Sequence, residues 1–355
     1  MSILLKNFNG SEFIPFSQEN GETALYLGFL CGVFIFLGIL SETLVIASIL
    51  RVRQKTVDTL FVLSLCVADL IFNIYMFIYI VILLVARGWS IGVIGCKIST
   101  AMIIITLATS IASITFITLN RYMAIIWKTN ITRFQALVMI AIIWLIFPLI
   151  VTLYLTNKEL SDSSIALESS YSYCFLDFAT TDPIVLTALI TIFVFLSLPL
   201  FFMFYAYSKI ILYYRDMNRK KKKVTSAAHK LEKKLLIKAI AITLAFFITY
   251  SVQLFIRLYE FSTKSKVGAV VELVGSVGIS LNTLLNSLVL LKFDGTVQSS
   301  AIEMLGLKNR FRKRITTPNI QMIQMEPSPK QEELQIIEPT LETTRKIDIP
   351  GPISN

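Results

Sequence analysis

Ser64-Leu65-Cys66-Val67-Ala68-Asp69-Leu70 sets one carboxylate in the middle of an apolar run extending over 57–86. A helix that crosses the hydrocarbon core of a bilayer needs about 20 mostly apolar residues, so this run is long enough to span. An ionisable group inside a span is costly and is ordinarily kept for function. Outward from it, six further runs of the same kind lie at approximately 24–50, 93–126, 134–156, 183–214, 232–258 and 267–291. The third, fifth and sixth runs in chain order exceed the minimum and are expected to tilt or to project past the bilayer. Composition agrees: the chain is 55% hydrophobic and 16% charged, against roughly 25% charged for a soluble domain, and its mean hydropathy is +0.71. A soluble enzyme is excluded. Nothing alternates in ten-residue units, which argues against an outer-membrane barrel, and no repeat of 20–50 residues is visible. The expected fold is an all-α membrane protein, a bundle of seven transmembrane helices.

The formal net charge of +10 would point to nucleic acid in a soluble protein; in a membrane protein it is a question of which loops hold Lys and Arg. The first loop carries Arg51, Arg53 and Lys55, and the third Lys128 and Arg133. The fifth holds the run Arg219-Lys220-Lys221-Lys222-Lys223, then Lys230, Lys233 and Lys234. The alternate loops hold Arg87, Lys158, Lys264 and Lys266, diluted by Glu159, Asp162, Glu168, Asp177 and Asp182. The N-terminus is therefore expected outside and the C-terminus in the cytoplasm of a multi-pass plasma-membrane protein. The first run is too long for a signal-peptide core and is expected to stay in the mature chain.

The expected organisation is an extracellular tail over 1–23, the seven-helix domain over 24–291, an amphipathic membrane-surface helix over 292–307 and a disordered cytoplasmic tail over 308–355. That last helix would use Val297, Ile302, Leu305 and Leu307 against lipid. The tail is rich in Pro, Glu, Thr and Ser. Asn9-Gly10-Ser11 fits a glycosylation acceptor on the outer tail; Asn130-Ile131-Thr132 fits the same pattern but falls on the inner face. Four Cys and one His leave little for a zinc site or a disulfide scaffold.

Seven spans alone fit a receptor, a transporter or a light-driven pump, and the polar residues separate them. Beyond Asp69, Cys96 opens the third run and Asn120-Arg121-Tyr122 closes it; Trp144 lies in the fourth, Pro199, Met203, Tyr207 and Ile210 in the fifth, and Asn282, Thr283 and Asn286 in the seventh. With these residues the chain resembles a rhodopsin-like (class A) G-protein-coupled receptor over approximately 24–306. It departs from that family in several places. Glu42 stands where the family has Asn, and Asn120 where it has an acid. The sixth run reads Phe246-Phe247-Ile248-Thr249-Tyr250-Ser251-Val252 and lacks both Trp and Pro of the usual pattern; the seventh reads Asn286-Ser287-Leu288-Val289-Leu290 and lacks Pro and Tyr.

The resemblance implies a receptor, not an enzyme, that binds an extracellular small molecule or peptide and activates a heterotrimeric G protein as helix six moves outward. Cys96 and Cys174, both on the oxidising side, would form a disulfide, while Cys31 and Cys66 fill space within spans. Asn120, Arg121, Tyr122, Tyr207, Glu232 and Asn286 would carry activation, with Glu232 pairing Arg121. Without an acid at position 120, the inactive state is expected to be held less firmly. The ligand pocket would be lined by Tyr79, Ile103, Leu107, Thr191, Tyr250, Gln253, Arg257, Glu272 and Ser276. Arg257 and Glu272 would either pair with one another or meet a charged ligand. Ile103, where amine receptors have Asp, argues against a biogenic amine; with Ser280 at the retinal position and no Lys between Lys266 and Lys292, retinal is excluded.

Asp69, Ser110, Asn282, Thr283 and Asn286 match the family's sodium site, with Glu42 adjacent, so that a cation or a shared proton is expected between two carboxylates. The basic loop from Arg215 to Lys238 would meet anionic headgroups or the G protein. Two other readings stay open: a non-signalling seven-helix membrane protein, suggested by the losses at Tyr250, Val252, Ser287 and Leu290, and an ion- or proton-coupled transporter using Glu42 and Asp69. The internal repeat and matched broken helices common in transporters are not seen in this sequence.

Overall fold

A computed structural model describes residues 3–4, 14–15, 21–52, 55–170, 173–179, 183–220 and 227–306. Seven long helices follow the apolar runs: α1 (Gly21–Arg51), α2 (Val57–Ala86), α3 (Gly92–Tyr122), α4 (Arg133–Thr156), then, after the short α5 (Lys158–Ser164), α6 (Pro183–Lys220), α7 (Ala227–Thr263) and α8 (Ala269–Phe293). A last helix, α9 (Gly295–Met304), lies within the 292–307 stretch read as amphipathic. It buries Val297 and Ala301, and its Met304 sulfur takes the Ser48 hydroxyl at 3.7 Å. Residues up to Gly306 form one compact unit; the expected cytoplasmic tail over 308–355 lies outside the described residues, as does Asn9.

Local chemistry fixes the helix ends. Thr56 caps α2 by accepting from the Thr59 amide, and Thr132 caps α4 in a reciprocal box with Gln135. α2 stops where Arg87 adopts a left-handed conformation, φ 53°. α3 continues through a π-helical turn, Met123–Trp127, and breaks at Lys128, φ 60°. Within the spans, hydroxyls such as Thr106, Thr115 and Thr118 donate back to the carbonyl four residues earlier, so they cost little in a low-dielectric setting.

Between the Cys96 end and the Arg121 end the bundle has a polar middle and two apolar clusters. One cluster gathers Ile49, Phe61, Leu65, Ile114, Met203, Ile210 and Phe246 towards Arg121. The other gathers Ile35, Ile80, Leu83, Trp89, Ile165 and Leu176 towards the disulfide. Trp144 Nε1 donates to Ser64 Oγ at 3.0 Å, and Ser64 meets Ser113 at 3.1 Å, joining α4, α2 and α3. At Gly38 a Cβ would come within 2.8 Å of the Asn73 amide, so glycine lets α1 approach α2 and α8 there without displacing that side chain. The outward faces carry Phe29, Leu40, Val85, Leu145, Leu149, Leu153, Phe201 and Phe255, all exposed. An apolar belt of that extent needs a bilayer rather than water.

Short strands close the Cys96 end. β4 (Ile165–Leu167) and β5 (Cys174–Leu176) form an antiparallel hairpin, and β1 (Ile3–Leu4) adds to β4 with Ile3 opposite Leu167. β2 (Ile14–Pro15) pairs with β3 (Gly88–Trp89). The Cys96–Cys174 disulfide ties β5 to α3, and Ser99 Oγ accepts from the Cys174 amide at 3.0 Å.

Candidate functional site

Beneath the hairpin lies a cavity of about 470 Å³, within the ~300–1,000 Å³ typical of small-molecule sites. Its walls are almost wholly apolar: Ile103, Leu107, Phe147, Ile150, Phe246 and Leu254 are representative. Tyr173, Phe175 and Phe178 roof it from the hairpin. Polar groups enter at Tyr250, Ser251, Gln253, Arg257 and Ser276. Tyr250 stacks on Phe246 at 4.3 Å between centroids.

Arg257 links this cavity to a buried ion cluster. Its Nη1 lies 3.1 Å from Glu168 and 2.8 Å from Glu260, and its Nη2 lies 2.7 Å from Glu272. The Tyr173 hydroxyl donates to the same Glu272. Lys266 adds contacts of 3.0 Å to Glu168 and 3.6 Å to Asp177. Glu168, Glu260 and Glu272 lie close enough for three ligands of one metal ion, but the guanidinium already occupies the space between them. Burial alone pushes the Glu168 carboxyl up, yet the charges of Arg257 and Lys266 outweigh it and hold Glu168 below the ordinary carboxylate range. Burial pulls the Lys266 ammonium down, and the charge of Glu168 outweighs that and raises it.

In the middle of the bundle Asp69 accepts from Ser110 Oγ at 2.8 Å and from Asn286 Nδ2 at 2.9 Å. Thr283 is turned away to Asn73, 3.1 Å, and Asn282 accepts from Thr249 at 3.1 Å. The five residues that the sequence groups as one site therefore divide: Ser110 and Asn286 hold Asp69, while Asn282 and Thr283 serve α7 and α2. Glu42 is wholly buried. Neither of its oxygens meets an N–H or O–H donor among the described residues, the Cys66 thiol being its polar neighbour, and Asn286 Oδ1 is also unanswered. Orphaned oxygens beside a carboxylate are what a hard cation or a proton would answer, so the donor set fits sodium.

At the other end Arg121 is paired, and the acid is Asp58 from the first turn of α2. Asn120 donates its amide to the same carboxylate. The acid that position 120 lacks is thus present one helix away, in Asp58. Glu232 lies outside the residues whose side chains are described. Tyr122 is buried among Trp127, Phe202 and Tyr205. Tyr207 joins three helices, 3.0 Å from Thr118 and accepting from Thr243 at 3.3 Å.

The sequence model of the family described as "7 transmembrane receptor (rhodopsin family)" matches residues 41–289, well over half of the chain. The chain belongs to that family. Among solved structures, squid rhodopsin superposes with a TM-score of 0.72 over 83% of this chain and 84% of its own at 16% identity, which is a likeness of fold. Among characterised receptors, "Chemerin-like receptor 1" of Sus scrofa is 33% identical over 34% of this chain and 33% of its own. The Homo sapiens receptor of that name is 28% identical over 46% and 44%, and "Melatonin receptor type 1C" of Xenopus laevis 37% over 25% and 21%. The chain thus spans less than half the length of these relatives. Like the rest of the rhodopsin family it is a multi-pass membrane receptor and not an enzyme.

Of the pocket residues read from the resemblance, Ile103, Leu107, Tyr250, Gln253, Arg257 and Ser276 line the cavity. The side chain of Thr191 lies outside the described residues. Tyr79 does not line the cavity: it packs on Trp89, 5.7 Å between rings, and donates to the Gly95 carbonyl at 2.8 Å. Glu272 sits behind Arg257 rather than at the wall, fully buried. Sequence reasoning missed Asp58, Glu168 and Glu260 as members of sites. Asp58 carried the signal of an acid at a helix start, which reads equally well as a favourable charge at the positive end of the helix dipole.

Proposed function

We propose that this rhodopsin-family receptor takes up an extracellular ligand in the cavity under the hairpin and activates a heterotrimeric G protein at the Arg121 end. The observation that carries the reading is the latch of Arg121 and Asn120 on Asp58. It holds α3 against α2 at the end where Tyr207 also ties α3 to α6 and α7. A ligand that prefers the state in which α7 has swung outward would draw the balance towards an unlatched form. Arg121, Asn120, Tyr122, Tyr207, Glu232 and Asn286 are the groups assigned to that transition.

The orientation follows from charge: Arg51, Lys55, Lys128 and Arg133 lie in connections at the Arg121 end, which we place in the cytoplasm. The disulfide end and Asn9, as a glycosylation acceptor, then face outside. The basic stretch from Arg215 to Lys238 would meet anionic lipid or the G protein.

Sodium, held by Asp69, Ser110 and Asn286 with Glu42 alongside, would supply a positive charge that stabilises the closed bundle. Because Glu42 places a second carboxylate beside it, Glu42→Asn should shift the dependence of thermal stability on sodium or pH. Superimposable titrations of parent and variant would remove Glu42 from the site.

Asp58→Asn tests the coupling. Removing a charge-assisted contact of about 1.5–3 kcal/mol should raise ligand-free nucleotide exchange by roughly ten- to a hundredfold. The assay uses the full chain reconstituted with a panel of G proteins, and the rise should vanish when Arg121→Ala is added. Exchange at the level of empty vesicles for parent and variant alike would favour a non-signalling membrane protein.

A further inference from the structure

The cavity wall offers little to water. Ser251 Oγ donates to the Ile248 carbonyl at 2.7 Å, and Ser276 Oγ to the Glu272 carbonyl at 3.1 Å. Arg257 is committed to its three acids. Gln253 turns its carboxamide to Arg257 and to α8 at Gly275, away from the open space. A buried water needs about two to four polar partners, and an apolar cavity without them stays dry. A dry void is costly in its turn. The destabilisation grows with its volume, because the lining atoms lose their dispersion contacts. A cavity of about 470 Å³ therefore calls for an apolar occupant.

Where the cavity opens decides what that occupant is. On the water side Tyr173, Phe175 and Phe178 roof it. The Arg257 guanidinium lies 5.5 Å and 5.7 Å from the two phenylalanine rings, and the disulfide fastens the hairpin to α3. On the lipid side the wall is shared with the outer surface. Ile150 of α4 and Ile190 of α6 line the cavity, yet both are more than half exposed. On α7, Phe247, Leu254, Leu258 and Phe261 recur at helical spacing along one stripe of the wall, each between 37% and 41% exposed. Their neighbours Ile248 and Phe255 belong to the exposed belt. Nearer Arg121 the seam between α6 and α7 is closed by Phe204 on Phe247, 5.4 Å, and by Tyr207 with Thr243. Towards the disulfide end from that closure, cavity wall and lipid-facing belt form one apolar surface.

We infer that a phospholipid of the surrounding bilayer passes one acyl chain between α6 and α7 and fills the cavity with it, its headgroup staying at the membrane surface. The transfer exchanges one apolar surrounding for another, so no polar group has to be stripped of water. Filling the void supplies the gain. This occupant goes beyond the receptor reading and stands without it; a ligand taken up in the cavity would displace the chain.

The test is photochemical. Full-length protein is placed in phosphatidylcholine nanodiscs containing a small fraction of phosphatidylcholine with a diazirine at the far end of one chain. After irradiation the adducts are mapped by mass spectrometry. Leu145, Leu149 and Phe201 of the exposed belt should be labelled whatever the cavity holds. The deciding residues are Ile103 and Leu107, which line the cavity from α3, a helix packed against α2, α4, α6 and α7. Both should carry adducts in the parent. Ile103→Trp, which fills the cavity, should abolish labelling of Leu107 and leave the belt unchanged. Leu107→Trp, read at Ile103, covers the case in which the first variant does not fold. Leu258→Trp, which crowds the gap, should lower labelling of both residues several-fold.

Labelling confined to the belt in the parent overturns the inference, as does labelling of Leu107 that survives Ile103→Trp. Labelling by a diazirine fatty acid and not by the phospholipid overturns the phospholipid as occupant. Interior labelling indifferent to Leu258→Trp overturns the route between α6 and α7. No receptor ligand or G protein enters these measurements, so the chain site fails on the adducts alone and the coupling reading on Asp58→Asn alone.

Discussion

The two ends of this receptor are both closed by arginines, and they are closed differently. At the disulfide end Arg257 is set among Glu168, Glu260 and Glu272, with Tyr173 and Gln253 completing its shell. At the other end Arg121 meets Asp58, whose carboxylate also accepts from Asn120. The first arrangement joins the hairpin to α7 and α8 through several carboxylates that share one buried guanidinium. The second joins α3 to α2 through the buried carboxylate of Asp58. A cluster that ties a hairpin to two helices suits a fixed roof, and a pair between the ends of neighbouring helices suits a latch that has to open. The physics of an ion pair is the same at both ends; what differs is which elements it joins.

The contrast is broken most severely by Arg257→Ala. Three buried carboxyl groups would lose their shared cation, and stranding buried charge costs about 3–5 kcal/mol. The expected outcome is a large drop in unfolding temperature or loss of folded receptor from the membrane, with Arg257→Lys in between because an ammonium cannot reproduce the forked contacts. A fully stable alanine variant would mean that the cluster does not hold the roof.

A smaller effect sharpens the latch. If Asp58 carries the charge that position 120 lacks, then Asn120→Asp should partly reverse the raised basal exchange of Asp58→Asn. The recovered part of the ~1.5–3 kcal/mol contact reads out as a return of about tenfold in ligand-free exchange. No recovery would show that geometry on α2, and not charge beside Arg121, sets the closed state.

The seven helices were legible because hydrocarbon demands long apolar runs whatever the tertiary packing, and the disulfide because the charge pattern puts its two cysteines at the same end of the bundle. Asp69 with Ser110 and Asn286 was legible for a related reason: few polar groups occur in a span, and those few meet one another. Asp58 was not, since its partner lies 62 to 63 residues further on, at Asn120 and Arg121, and nothing local distinguishes it from an acid stabilising a helix start. Glu168 was read only as an acid diluting the loop charge, whereas the hairpin folds it down onto Arg257. Tyr79 shows the opposite failure: the resemblance puts it in the pocket, but the ring of Trp89 and the carbonyl of Gly95 hold it elsewhere. Contacts that depend on how a hairpin or a neighbouring helix docks have no period in the sequence to betray them.

The mildest test separates the members of the roof cluster by pH. Glu168→Gln removes one acid from a group in which four carboxyls face two cations, and the amide can still accept a hydrogen bond. The cost should therefore be only about 1 kcal/mol, far below that of Arg257→Ala. Its pH dependence has a definite sign. Arg257 and Lys266 hold the Glu168 carboxyl below its ordinary range, so its contribution is complete above the unfolded-state value of roughly 4.3 and fades as pH falls through the lower folded-state value. The Lys266 ammonium is raised, so its share is complete below roughly 10.4 and fades only as pH rises through the higher folded-state value. The difference in unfolding temperature between parent and Glu168→Gln should accordingly be flat between about pH 5 and 10 and narrow towards acid. A difference that narrows near neutrality would place the stabilising charge on some group other than Glu168.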